Sequence, residues 1–137
     1  MQPRVDFISL GVRSVDASRR FYVDGLGWPV HREVPGEVLF IQVNHGLILS
    51  LWDAAQMQSE AATDAPAGIA CITLSHNLAG TADVDRVMAE AGTAGARIVA
   101  APKTQPWGGY TGYFADPDGY RWEVAFNPTG RSTAAAK

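Results

Sequence analysis

The feature that most constrains this chain is that it runs through one order of elements twice. Phe7 to Val12 (FISLGV) and Cys71 to His76 (CITLSH) share an alternation of side chains, and each opens a half that reads β-α-β-β-β. In the first half Val5 to Val12 is strand-like, and Ser14 or Asp16 can cap a helix that runs through SRRFYVDGLG and stops near Gly25 or Gly27. Trp28 to His31 then reads as a short strand, and VLFIQVNHGLILSLW as two strands joined at Asn44-His45-Gly46. In the second half Ile69 to Ser75 is a strand and TADVDRVMAEAGTAG a helix with Val84, Val87, Met88 and Ala91 on one face. ARIVA, GGYTGYFA and YRWEVAF follow as three more strands.

Each half offers one helix to cover one face of a mainly antiparallel sheet, so the other face must pair with something or enclose something. The expected fold class is α+β, with two βαβββ modules in tandem forming a curved, partly closed, antiparallel-rich sheet (a cup) with helices on the outside. A single domain over residues 1–137 would hold module one at about 5–52, a linker at 53–68, module two at about 69–127 and a frayed tail at 128–137.

Composition removes several function classes. At 47% hydrophobic and 18% charged, the 137 residues match a globular domain and exclude a largely disordered chain. A net charge of -3 with scattered Lys and Arg is the wrong surface for phosphate neutralisation, so no nucleic-acid partner is expected. No apolar run approaches the ~20 residues needed to cross a bilayer. The single cysteine, Cys71, cannot form an internal disulfide, and MQPRVDF lacks the apolar core of a signal peptide, which together point to the cytoplasm.

The stretch YFADPDGYRWEV carries the chemistry worth testing. After the DPDG turn, alternation puts Tyr120, Trp122, Val124 and Phe126 on one face and Arg121 and Glu123 on the other. By pattern alone Glu123 is a solvated charge on a wet face; on an enclosed face it becomes a ligand-handling carboxylate. Trp107 and Tyr110 flank Gly108-Gly109, where an aromatic can close over an apolar ligand or clamp the loop to the core. Trp52 shares a face with Ser50. His31, His45 and His76 lack a spacing that would aim them where Glu123 points and read as structural or exposed. Nucleophile-elbow, zinc-protease, phosphate-loop and CxxC signatures are absent from the sequence.

"SLGVRSVDASRRFYVDGLGWPV" and "WGGYTGYFADPDGYRWEV", taken with the duplication, resemble the vicinal oxygen chelate superfamily of glyoxalase I, bleomycin-resistance proteins, fosfomycin-modifying enzymes and extradiol dioxygenases. The likeness spans roughly residues 5 to 127. It implies that the face of Glu123 lines the cup, and with it Thr111 and Tyr113. It also implies a divalent metal held from four strands, at positions that fall here on Phe7, Ser50, Cys71 and Glu123. Phe7 has no donor atom and Ser50 only a weak neutral one, so metal: none and cofactors: none are the expectations. A homodimer is implied by the family's habit.

The resulting expectation is a glyoxalase/bleomycin-resistance-like protein that binds a small, partly aromatic molecule in a metal-free cavity lined by Phe7, Ser50, Trp52, Cys71, Trp107, Tyr110, Thr111, Tyr113 and Glu123. Whether it is an enzyme is left open. One alternative is a metal-independent enzyme with Glu123 as general base; a weaker one is a divalent-metal lyase, isomerase or dioxygenase with non-standard ligands.

Overall fold

Alternating strands bury one face only when something packs on it, and in each half of this chain a helix does so. The computed structural model describes residues 1–3, 5–61 and 72–128, and the chain divides into two compact units at residues 68 and 69.

The first unit holds β1 (Phe7–Val12), α1 (Val15–Arg19), β2 (Arg32–Val34), β3 (Val38–Asn44), β4 (Leu47–Asp53) and α2 (Ala54–Ala61). Its sheet has the order β1-β4-β3-β2, with β1 parallel to β4 and the other pairs antiparallel. Ser14 caps α1 by accepting the Ala17 N–H at 3.1 Å, and α1 passes directly into a π-helical turn, Arg20–Gly25. There the Leu26 N–H reaches the Phe21 carbonyl at 2.9 Å. Gly27 at φ +76 lets the chain leave the helix, as the sequence led one to expect. Leu10, Val12, Leu39, Ile41, Leu49 and Leu51 form the buried face of this sheet, joined by Val15, Phe21 and Tyr22 from the helical segment.

The second unit repeats the plan with β5 (Thr73–Leu78), α3 (Thr81–Thr93), β6 (Arg97–Thr104), β7 (Tyr110–Ala115) and β8 (Arg121–Phe126), in the order β5-β8-β7-β6. Again the first strand is parallel to the last and the other pairs are antiparallel. The core comprises Val84, Met88 and Ala91 of α3 with Phe114, Trp122 and Val124 of the sheet. The rings of Phe114 and Trp122 stack at 6.1 Å. Gly112 lies directly beneath Met88, and a Cβ there would come within 3.1 Å of Met88 and Pro102.

The two βαβββ modules expected from the sequence are therefore present, with local differences. Trp28 to His31 is not a strand; the edge begins at Arg32, preceded by a bond from the His31 N–H to the Phe40 carbonyl at 2.9 Å. Pro29, which has no N–H, could not have entered the ladder as a donor. The segment expected as linker opens with α2, whose N-cap is Asp53, its carboxylate accepting the Gln56 N–H at 3.2 Å. Ala, Gln and Met favour helix without needing a periodic apolar stripe. Ala54 and Met57 sit against Gly11, so this helix lies on the face of the first sheet opposite α1. Among the described residues the fifth strand runs Thr73–Leu78, past the Ser75 expected as its end, and Ile69 to Cys71 and the tail beyond Pro128 lie outside the described residues. Phe7 pairs two residues before Ser50, as Thr73 pairs two residues before Glu123, so within the modules FISLGV corresponds to TLSHNL. A slide of two returns every side chain to the same face, and alternation alone is blind to it.

Two measurements follow from this packing. Gly112→Val should lower unfolding stability in urea by about 1–3 kcal/mol through overpacking against Met88 and Pro102. His76 lies on the helix side of β5, and burial holds its pKa below the ordinary value, with Glu90 partly opposing. A depressed imidazole stabilises the fold above its unfolded pKa, and that contribution is lost as pH falls through the folded value. His76→Gln should accordingly flatten part of the acid limb of a stability–pH curve; an unchanged limb would show that His76 charges freely.

Candidate functional site

The site begins with a turn. Asp116 is 5% exposed, and its Oδ1 accepts the N–H groups of Asp118 and Tyr120, each at 2.9 Å, while its carbonyl takes the Gly119 N–H at 2.9 Å. Gly119 adopts φ +89, a conformation open to glycine without cost. This closure sets the register of β7 against β8, with Ala115 opposite Arg121, Tyr113 opposite Glu123 and Thr111 opposite Ala125. On the other side of β8, Thr73, Ser75 and Asn77 stand opposite Arg121, Glu123 and Ala125.

Glu123 is held from both flanking strands. Ser75 Oγ donates to Oε1 at 3.0 Å and the Tyr113 phenol donates to Oε2 at 2.7 Å. A carboxylate offers about four lone-pair directions, so two bonds leave acceptor capacity on each oxygen. Tyr113 is driven above the usual phenol pKa, first by its hydrogen bond to Glu123, then by burial and by the neighbouring negative charge. Thr111, 1% exposed, accepts a 2.7 Å bond from Gln105 Nε2. The bland reading of Glu123 as a free charge on a wet strand does not describe this half-buried, doubly bonded group.

Thr111, Tyr113 and Glu123 thus share one face of the second sheet, as expected. Tyr110 does not join them: it lies on the opposite face of β7, and its hydroxyl donates to Asp85 of α3 at 2.7 Å. Trp107 is 58% exposed in the turn between β6 and β7, where Gln105 N–H bonds the Gly109 carbonyl at 2.7 Å. Its indole lies so close over Gly109 that no side chain would fit there, so the ring clamps its own loop. In the first unit, Phe7, Ser50 and Trp52 share one face, and Phe40 adds an edge-on ring 5.9 Å from Phe7. Cys71 is outside the described residues. Ser75, Gln105 and Phe40 were not foreseen: Ser75 has the parity of Glu123, but only the strand register shows that they touch.

A family metal does not fit the donors described. Phe7 has none, Ser50 is a neutral hydroxyl 2% exposed, and Glu123 is the one carboxylate among the described members of that set. Among the described residues no group of three or more His, Cys, Asp or Glu is arranged to hold a metal ion.

The Tyr113–Glu123 bond has a spectroscopic consequence. In an absorbance titration Tyr113 should ionise above the ordinary phenol range, and Glu123→Gln should bring it back toward that range. Because its folded pKa is raised, the bond stabilises the protein fully below the unfolded phenol pKa, and that part is lost as pH climbs through the folded value. Tyr113→Phe should lack this part of the alkaline limb. Identical phenol titrations in the parent and Glu123→Gln proteins would mean that the bond does not form in solution.

With the geometry in hand, comparisons with known proteins place the chain. A glyoxalase-related enzyme from Fulvimarina pelagi is 35% identical with a TM-score of 0.85, covering 93% of this chain and 90% of its own. A glyoxalase/bleomycin resistance protein/dioxygenase from Nocardioides is 24% identical with a TM-score of 0.77, covering 92% of this chain and 84% of its own. Lactoylglutathione lyase from Agrobacterium tumefaciens is 21% identical at a TM-score of 0.70, covering 92% and 95%, a likeness of fold. A search of curated proteins gives no significant match. The family profile matches residues 4–124, and the chain belongs to the Glyoxalase/Bleomycin resistance protein/Dioxygenase superfamily.

Proposed function

We propose that this protein binds a small, partly aromatic molecule without a metal, and that the ligand is anchored by hydrogen bonds to Glu123. The observation that carries this reading is the carboxylate braced from both sides by Ser75 and Tyr113 at 3.0 and 2.7 Å. The bracing fixes the carboxylate in place before a ligand arrives, which lowers the ordering cost of binding. The groups bonded to Glu123 are hydroxyls, Ser75 and Tyr113, and neutral hydroxyls support a hydrogen-bonding site more than an ion site. The family resemblance adds a homodimer, and the single cysteine and N-terminal sequence a cytoplasmic location, to this proposal; light scattering on the purified chain checks the dimer.

A second reading rests on the same hydrogen bond. A ligand proton passes to Glu123, with Tyr113 orienting the reacting group, and no metal takes part. Glu123→Gln separates the two: as an anchor, its loss weakens binding by about tenfold or more, while as a base its loss collapses turnover and leaves binding nearly intact. A thermal-shift screen of metabolites and divalent metals supplies the ligand, since a molecule held only by the native state raises the melting temperature. Elemental analysis of the purified protein should find no stoichiometric metal; one ion per chain would overturn the metal-free reading and revive a lyase, isomerase or oxygenase.

A further inference from the structure

The face that carries Glu123 has a second polar row. One rung toward the DPDG turn, the residues side by side across the sheet are Thr73, Arg121, Ala115 and Arg97. At ordinary strand spacing the two arginine backbones are roughly 10 Å apart, within joint reach of one small anion over the intervening alanine. Arg121 stands on the same strand face as Glu123, yet the two do not pair. Glu123 is taken by Ser75 and Tyr113, and Arg121 turns back to the Gly119 carbonyl at 2.8 Å. Neither Arg97 nor Arg121 forms an ion pair with an acid among the described residues. Acid and base are thus held apart and both remain available to a third group.

Resting on the Glu123 reading above, we propose that the Arg97–Arg121 row is an anion subsite, and that the ligand is a small aromatic carboxylate bearing a hydroxyl at its far end. The two rows are about 6.6 Å apart along the strand, and a para-substituted benzene ring spaces its two substituents by a similar length. Charge fixes the direction. A carboxylate beside Glu123 is repelled, whereas beside the guanidinium groups it gains charge-assisted hydrogen bonds. The hydroxyl end then donates to a free lone pair of Glu123.

The test uses 4-hydroxybenzoate and its neutral counterpart 4-hydroxybenzamide, titrated into the isotope-labelled full chain while the arginine Nε–H and the backbone signals of Tyr113 and Glu123 are followed. The acid should bind at least about tenfold more tightly than the amide, and Arg97→Gln and Arg121→Gln should each remove about tenfold of its affinity while leaving the amide's unchanged. Arg97 is exposed on an edge strand, so its replacement leaves the core intact, and melting temperatures check both variants. Equal affinity for acid and amide, with shifts at Tyr113 and Glu123, overturns the anion subsite and leaves the Glu123 site standing. Arginine signals unmoved by either compound also overturn it, and the metabolite screen then decides the Glu123 site separately.

Discussion

The buried carboxylate of Asp116 is the contact on which the second unit's chemistry depends. It collects the N–H groups of Asp118 and Tyr120 and so decides where β7 stops and β8 starts. A slip of one residue would send Glu123 to the helix side and Trp122 to the open side, exchanging a charge and a large ring between environments suited to neither. Because the turn prevents this, Tyr113 and Glu123 meet across one rung and Ser75 completes the bracket from β5. The site is therefore a consequence of register, and the register is a consequence of one acidic side chain in a tight turn.

Membership of a superfamily is a statement about descent and fold, while the chemistry lives in a few side chains. Here the family architecture is kept, and two of the positions that the resemblance assigns to metal ligation carry Phe7 and Ser50. What stands around Glu123 instead is a pair of hydroxyls, with Arg121 and Arg97 one rung away. On the reading proposed above, such a surface serves to recognise hydrogen-bonding and charge patterns in a ligand.

Much of the fold was legible because duplication and alternation survive in the sequence: β1, β3, β4, α3, β7 and β8 fall close to where FISLGV, VLFIQVNHGLILSLW, TADVDRVMAEAGTAG and YFADPDGYRWEV put them. Glu123, Tyr113 and Thr111 could be placed on one face by parity alone. Parity could not reveal Ser75, since that partnership needs the offset of β5 against β8, and a slide of two residues leaves the pattern unchanged. Tyr110 was grouped with Trp107 for its place beside Gly108-Gly109; as the first residue of β7 it follows the strand alternation to the helix side and reaches Asp85. α2 escaped notice because alanine and glutamine favour a helix without leaving a periodic trace.

The π-helical turn at Arg20–Gly25 holds one more residue per turn than its surroundings would need. Winding the same residues as an ordinary α-helix would swing everything up to Gly27 by about 100° around the axis. Phe21 and Tyr22, at 2% and 0% exposure, occupy that stretch, so the swing would pull an aromatic from the interior. The wider turn is consequently what lets one extra residue pass through this segment while both rings stay inside.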